Sequence, residues 1–164
     1  MTPALSAFPA IETNRLQIRP LLPSDAEAVM MQTDDPTITH AIHFLPTPFT
    51  ISDASALVRK NDDNNCFLGA FQQGILIGIV GAHVHEGTRL EIGYWIGSKF
   101  QRQGYAREAV AAVIAELSRL YSRLPIIAEC RIANEGSWSL LHKLGFKATG
   151  EKGARPGREL LSLR

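Results

Sequence analysis

Residues 90–121, LEIGYWIGSKFQRQGYAREAVAAVIAELSRLY, constrain the fold of this chain more than any other stretch. Residues 91–96 alternate and are rich in β-branched and aromatic side chains, which favours a strand. From Ala106 onward, Ala106, Val110, Val113, Leu117 and Tyr121 recur at helical spacing and form one apolar stripe. Between them lies Gln101-Arg102-Gln103-Gly104-Tyr105-Ala106. A turn this tight needs Gly104, and its N–H groups open onto the positive end of the helix dipole. Lys99, Arg102 and Arg107 add full charges, so the loop is suited to an anion such as a phosphate. A simple helix-capping turn has the same local features, and both readings stand at this point. The loop lacks the Gly-Lys-Ser/Thr of a P-loop and the three spaced glycines of a dinucleotide fingerprint.

Composition narrows the class. At 164 residues, with 45% hydrophobic and 20% charged side chains, the chain reads as one globular domain spanning 1–164. Its first twelve residues, with two prolines and little periodicity, read as a loose arm. A net charge of +1 gives no electrostatic case for nucleic acid. Cys66 and Cys130 are far apart beside apolar runs and read as buried free thiols of a reducing compartment. The start of the chain lacks the basic-then-apolar pattern of a signal peptide. No apolar run reaches membrane-spanning length. The expectation is a cytoplasmic protein without a membrane partner.

The remaining elements follow from local signals. Residues 13–20 alternate as a first strand closed by Pro20. Ser24-Asp25-Ala26-Glu27 is a capping-box sequence that predicts a helix over about 25–33. Residues 37–50 are too apolar for a solvated loop and too proline-rich for a long helix. A second helix is expected from a Ser52 or Asp53 cap to about Asn61. Residues 66–72 and 75–85 form a hairpin around Gln73-Gly74, and Gly87 turns the chain into the strand at Glu91. Beyond the central helix come a strand over 126–131, a helix over 137–144 with Gly145 at its end, a strand over 146–149, a glycine- and charge-rich loop, and a last strand over 159–163.

This order, β-α-α-β-β-β-α-β-α-β-β, and the Q/R-x-x-G-x-G/A loop resemble the GNAT superfamily of N-acetyltransferases. Three further segments resemble its RimJ/RimL-type, ribosomal-protein-acetyltransferase-like branch. They are Glu12-Thr13-Asn14-Arg15-Leu16-Gln17-Ile18-Arg19-Pro20 with Ser24-Asp25-Ala26; Phe44-Leu45-Pro46-Thr47-Pro48-Phe49-Thr50; and Asn134-Glu135-Gly136-Ser137 with Lys143-Leu144-Gly145-Phe146. The resemblance implies an α/β fold: a mixed, mostly antiparallel sheet of about seven strands flanked by helices and splayed between strands 4 and 5.

It also implies acetyl-CoA as cosubstrate. Gln101, Arg102, Gln103, Gly104, Tyr105 and Ala106 would hold the pyrophosphate. The edge of the Glu91 strand would pair with the pantetheine, with Trp95 and Ile96 nearest the acetyl group; core packing is the other reading of Trp95. Glu91 is the general-base candidate, or else an ordinary strand residue paired to Arg89 or solvent. Asn134 and Ser137 would contact the cofactor, with Ser137 able to donate to the leaving sulfur, or would serve only as helix-capping residues. The tyrosine acid that many relatives carry falls at Leu141 here and is absent. His40, His43 and Phe44 would shape the acceptor pocket. His83 and His85 share a strand face and are expected beside that pocket rather than on a metal.

The implied activity is direct attack by a primary amine, foremost the α-amine of a protein or peptide. An α-amine with pKa near 7.7–8.0 is about one-tenth neutral at pH 7, while lysine near 10.4 is far less so. The alternatives are a small-molecule amine acceptor and a non-catalytic acyl-CoA sensor. Monomer and homodimer are both compatible with the sequence.

Overall fold

The computed structural model describes residues 3–42 and 44–163; His43 lies outside the described residues. Eight strands form one sheet in the order β1-β2-β3-β4-β5-β6-β8-β7. They are β1 (Ile11–Glu12), β2 (Gln17–Pro20), β3 (Asn65–Gln72), β4 (Ile75–His85), β5 (Arg89–Ile96), β6 (Ile126–Cys130), β7 (Lys147–Lys152) and β8 (Glu159–Ser162). The helices are α1 (Ala26–Thr33), α2 (Pro36–Thr39), α3 (Ile51–Arg59), α4 (Tyr105–Leu120) and α5 (Glu135–Lys143). The strand beyond the expected seven is the two-residue β1.

Alternation along the strands sorts side chains into two cores. Leu90, Ile92 and Ile96 of β5 pack with Val110, Val113, Ile114 and Leu117 of α4. Burial of each such side chain stabilises the fold by roughly 1.5–3 kcal/mol, which is why α4 seats firmly. Trp95, Ile79 and Phe67 face the other way, against Val29 of α1 and Ala54, Leu57 and Val58 of α3.

One departure from regular pairing shapes the molecule. Strands β1 to β5 pair antiparallel, as do β6, β8 and β7, but β5 and β6 run parallel. They pair only at Leu90↔Ile126 and Glu91↔Ile127. Beyond Glu91, β5 stays with β4 as far as Ile96, while β6 continues with β8 to Cys130. A cleft therefore opens along residues 92–96, at the splay expected between the fourth and fifth strands.

Three local expectations need correction. The first twelve residues are not a loose arm over the described positions. Leu5 and Phe8 are buried, the Leu5 N–H donates to Asp63 O, and Ile11 pairs with Ile18. The Ser24–Glu27 capping box does not form. Asp25 turns back to accept from the Leu22 N–H at 2.7 Å and pairs with Arg19, so a 3-10 turn precedes α1. The cap of α3 is Thr50, whose Oγ1 accepts from Asp53 N–H while the Asp53 carboxylate accepts from Thr50 N–H. Asn61 lies past the end of α3 because its side-chain amide bonds both ways with the backbone of Phe67.

Candidate active site

The loop after β5 has the backbone that an anion cradle requires. Arg102 and Gly104 both adopt left-handed conformations, with φ 61° and 81°. Gly104 serves as N-cap of the 16-residue α4, and the first bond into the helix runs from Glu108 N–H to Gly104 O. The preceding N–H groups carry the partial positive charge of the helix end. Gln101 and Gln103 brace the loop with their side chains, donating to Ile96 O at 2.9 Å and Lys99 O at 3.1 Å. Tyr105 is buried beside Phe100, whereas Ala106 is partly exposed.

Arg15 is the residue of this loop that sequence reasoning missed. It donates to Gln103 O at 3.0 Å, pairs with Glu108 at 2.7 Å and lies over the Tyr105 ring at 4.1 Å. Its guanidinium would sit 3.4 Å from a Cβ built on Gly104. An arginine near the start of the first alternating segment was visible in the sequence; its proximity to residue 104 was not.

Across the cleft from β5, Asn134 caps α5 by accepting from Ser137 N–H at 3.3 Å. The capping reading of Asn134 thus describes its geometry. Ser137 Oγ meets Tyr94 Oη at 2.7 Å, so one hydroxyl pair spans the open part of the sheet. Burial pushes the Tyr94 phenol up to about 12, although the bond to Ser137 opposes the shift. Leu141 is buried in the core, and the phenol of this site comes instead from β5. Burial also pushes the Cys66 thiol up to about 12 and raises that of Cys130, which leaves both cysteines poor nucleophiles.

The opposite face of β5 carries a hollow. Gly93 pairs directly with Gly81 of β4, and a Cβ built on Gly93 meets nothing within 4 Å. Around it stand His83 and Glu91 on one side, with Phe67 and Trp95 on the other. Phe44 reaches both aromatic rings, at 6.2 Å from Phe67 and 6.1 Å from Trp95. The Trp95 side chain packs into the core, and its Nε1 donates to Thr33 Oγ1. His40 caps α2 and faces solvent, so the structure does not bring it into this group.

Glu91 is engaged at both oxygens. Oε1 lies 2.8 Å from His85 Nε2 and Oε2 lies 2.9 Å from Arg155, which also pairs with Glu129 at 3.1 Å. Neither Arg89 nor solvent is its main partner. The Glu129 carboxylate lies close over Gly153, where a Cβ would fall 2.1 Å from Oε1 and displace it. Burial pushes the Glu91 carboxyl up, but Arg155 and His85 outweigh it and hold it below its ordinary 4.5. Stability from that depression is present above pH about 4.5 and is lost as pH falls through the lower folded value. Replacing Arg155 with methionine should cost about 2 kcal/mol at pH 7, less than the ~3–5 of a fully buried pair because Arg155 is partly exposed. Urea unfolding of parent and variant should show that difference narrowing at pH 3.

No helix among the described residues is long and apolar enough to cross a membrane. No three His, Cys, Asp or Glu side chains among them gather as a metal set.

Comparison with known proteins bears on the whole arrangement. The family model described as an acetyltransferase (GNAT) domain matches residues 15–147. The uncharacterized N-acetyltransferase YnaD of Bacillus subtilis (strain 168) is 29% identical over 153 residues, covering 85% of this chain and 84% of its own. A GNAT-family acetyltransferase from Bacillus anthracis superposes with a TM-score of 0.81 at 27% identity, over 94% of this chain and 97% of that one. RimL, a ribosomal L7/L12 alpha-N-protein acetyltransferase solved with coenzyme A, superposes at 0.83 with 18% identity over the same shares and speaks to the fold. The splayed sheet, the glycine-capped loop ahead of α4 and these matches agree: the chain belongs to the GNAT family and is an acetyltransferase.

Proposed function

We propose that the chain transfers the acetyl group of acetyl-CoA to a primary amine, foremost the α-amine of a protein or peptide. The observation that carries this reading is the open hollow over Gly93, directly behind the unpaired edge of β5. The cradle at residues 101–106 takes the pyrophosphate, with Arg15 and Arg102 adding charge. The edge of β5 over residues 92–95, next to the Ile96 carbonyl that Gln101 occupies, takes the pantetheine amides as an added strand would. The thioester then lies beside Gly93, and an amine in the hollow reaches its carbonyl carbon without a covalent enzyme intermediate. The high thiol pKa values set by burial support direct attack.

As the N–C bond forms and the C–S bond breaks, charge develops on sulfur next to the Tyr94–Ser137 pair. Full proton transfer from a phenol near 12 to a thiolate whose acid is near 8.5 is uphill by about 5 kcal/mol. The pair therefore acts by donating a hydrogen bond to the leaving sulfur. Tyr94→Phe should lower kcat about tenfold, since Ser137 keeps one donor. Ser137→Ala should do the same, and the double variant, left with no donor, should lose more than the product of the two.

An α-amine suits the site because it is already about one-tenth neutral at pH 7 and needs only modest help. RimL, an alpha-N-protein acetyltransferase, supports this acceptor class through likeness of fold alone. The test is thiol release from acetyl-CoA with tripeptides bearing different free N-termini, beside N-α-acetyl-lysine and spermidine. The peptides should give the highest kcat/KM. A preference for spermidine would move the acceptor to small-molecule amines. Acetyl-CoA binding without turnover of any amine would leave a binding module.

A further inference from the structure

The amine arriving in the hollow must lose a proton, and both oxygens of Glu91 already have partners, in His85 and Arg155. His83 is differently placed. It pairs directly with Glu91 across β4 and β5 and with Asn65 across β3 and β4. Its Nδ1 lies 3.0 Å from Asn65 Oδ1. The Asn65 amide is itself oriented, because its Nδ2 donates to Asp62 Oδ1 at 3.1 Å and a carboxylate can only accept. Oδ1 therefore faces the ring, Nδ1 carries the hydrogen, and Nε2 keeps its lone pair. That nitrogen would sit 3.0 Å from a Cβ on Gly81, the direct partner of Gly93, so it leans over the floor of the hollow. Among the described residues it has no hydrogen-bond partner.

We propose that His83 Nε2 accepts the proton of the incoming amine, with Asn65 and Asp62 as positioning residues behind it. The proposal rests on the amine-acetyltransferase reading above. An ammonium in the hollow gives one proton to Nε2, and the neutral nitrogen attacks the thioester carbonyl. The N–C bond forms, the C–S bond breaks with its electron pair going to sulfur, and the second nitrogen proton leaves with the departing thiolate. His83 returns its proton to solvent, so one ammonium and acetyl-CoA yield amide, thiol and one proton.

The surroundings agree with this role. Burial pushes His83 below its ordinary 6.5; Glu91 opposes the shift, while His85, Arg155 and Lys60 reinforce it. The ring is thus neutral at pH 7 and free to accept. The Phe67 ring, 5.1 Å away and edge-on, supplies much of the apolar wall.

Two measurements test it. Nitrogen-15 NMR of the histidine-labelled parent should show His83 at pH 7 with hydrogen on Nδ1 and none on Nε2; the opposite tautomer or an imidazolium would overturn the proposal. Steady-state kinetics of His83→Gln with the tripeptide panel should show kcat reduced about a hundredfold, the low end for a general base, while acetyl-CoA affinity holds within about threefold. The acid limb of the kcat–pH profile should vanish, and the loss should shrink for amines of lower pKa. A variant within about threefold of the parent, acid limb intact, would sink the proposal and leave the acetyltransferase reading standing. A parent that turns over none of the amines would sink that reading, and this proposal with it. A variant that does not fold leaves the decision to the tautomer of the parent.

Discussion

Gly104→Glu should lower acetyl-CoA affinity by at least about a hundredfold in calorimetric titration, a loss of about 2.7 kcal/mol. Two effects add. A side chain at φ 81° is strained by about 1–2 kcal/mol. A carboxylate at the helix N-terminus also meets the phosphate with like charge, and it can pair with Arg15, which lies 3.4 Å from the new Cβ. Gly104→Ala carries the strain without the charge and should lose only about tenfold. If both variants bind as the parent does, the loop is a helix cap and the phosphate lies elsewhere.

Gly93→Val should separate stability from turnover. The position is in mid-strand and the added atoms meet no protein atom within 4 Å at Cβ, so a β-branched residue fits the backbone. The gain on replacing glycine is up to about 1 kcal/mol, or an unfolding midpoint roughly 2–4 °C higher. The same methyl groups fill the acceptor hollow. Turnover of the tripeptides should fall at least about a hundredfold in kcat/KM, with acetyl-CoA binding retained on the far side of the strand. Undiminished turnover would move the acceptor away from Gly93.

What the sequence made legible was local. The strand, loop and helix over 90–121 follow from periodicity and one glycine, and the structure differs there by only a residue or two at each end. The Thr50–Asp53 box was equally local, but the serine and aspartate beside Thr50 compete for the same reading. Other features depend on register. The hairpin around Gln73-Gly74 was legible, but His83 faces Asn65 only because the register shifts by one residue between Ala70 and Phe71, which no local signal announces. Tyr94 meets Ser137 across 43 residues, and Arg15 meets Glu108 across 93. Arg155 was hidden for another reason: a glycine-rich loop signals flexibility, while the contact that fixes it is a carboxylate pressed against Gly153. The N-terminal segment misled because Leu5 and Phe8 have no periodicity of their own and are buried in a core assembled from distant strands.

The two-rung junction between β5 and β6 also bears on how the protein avoids its own kind. An unpaired strand edge normally invites a neighbouring polypeptide, and proteins guard such edges with charge, proline or a covering segment. Here the edge lies inside the molecule, between walls near enough for Tyr94 and Ser137 to touch. The Tyr94–Ser137 pair spans that opening, so a neighbouring polypeptide would have to part it before adding a strand. The opening is guarded from within, without the charge or proline that an outer edge needs.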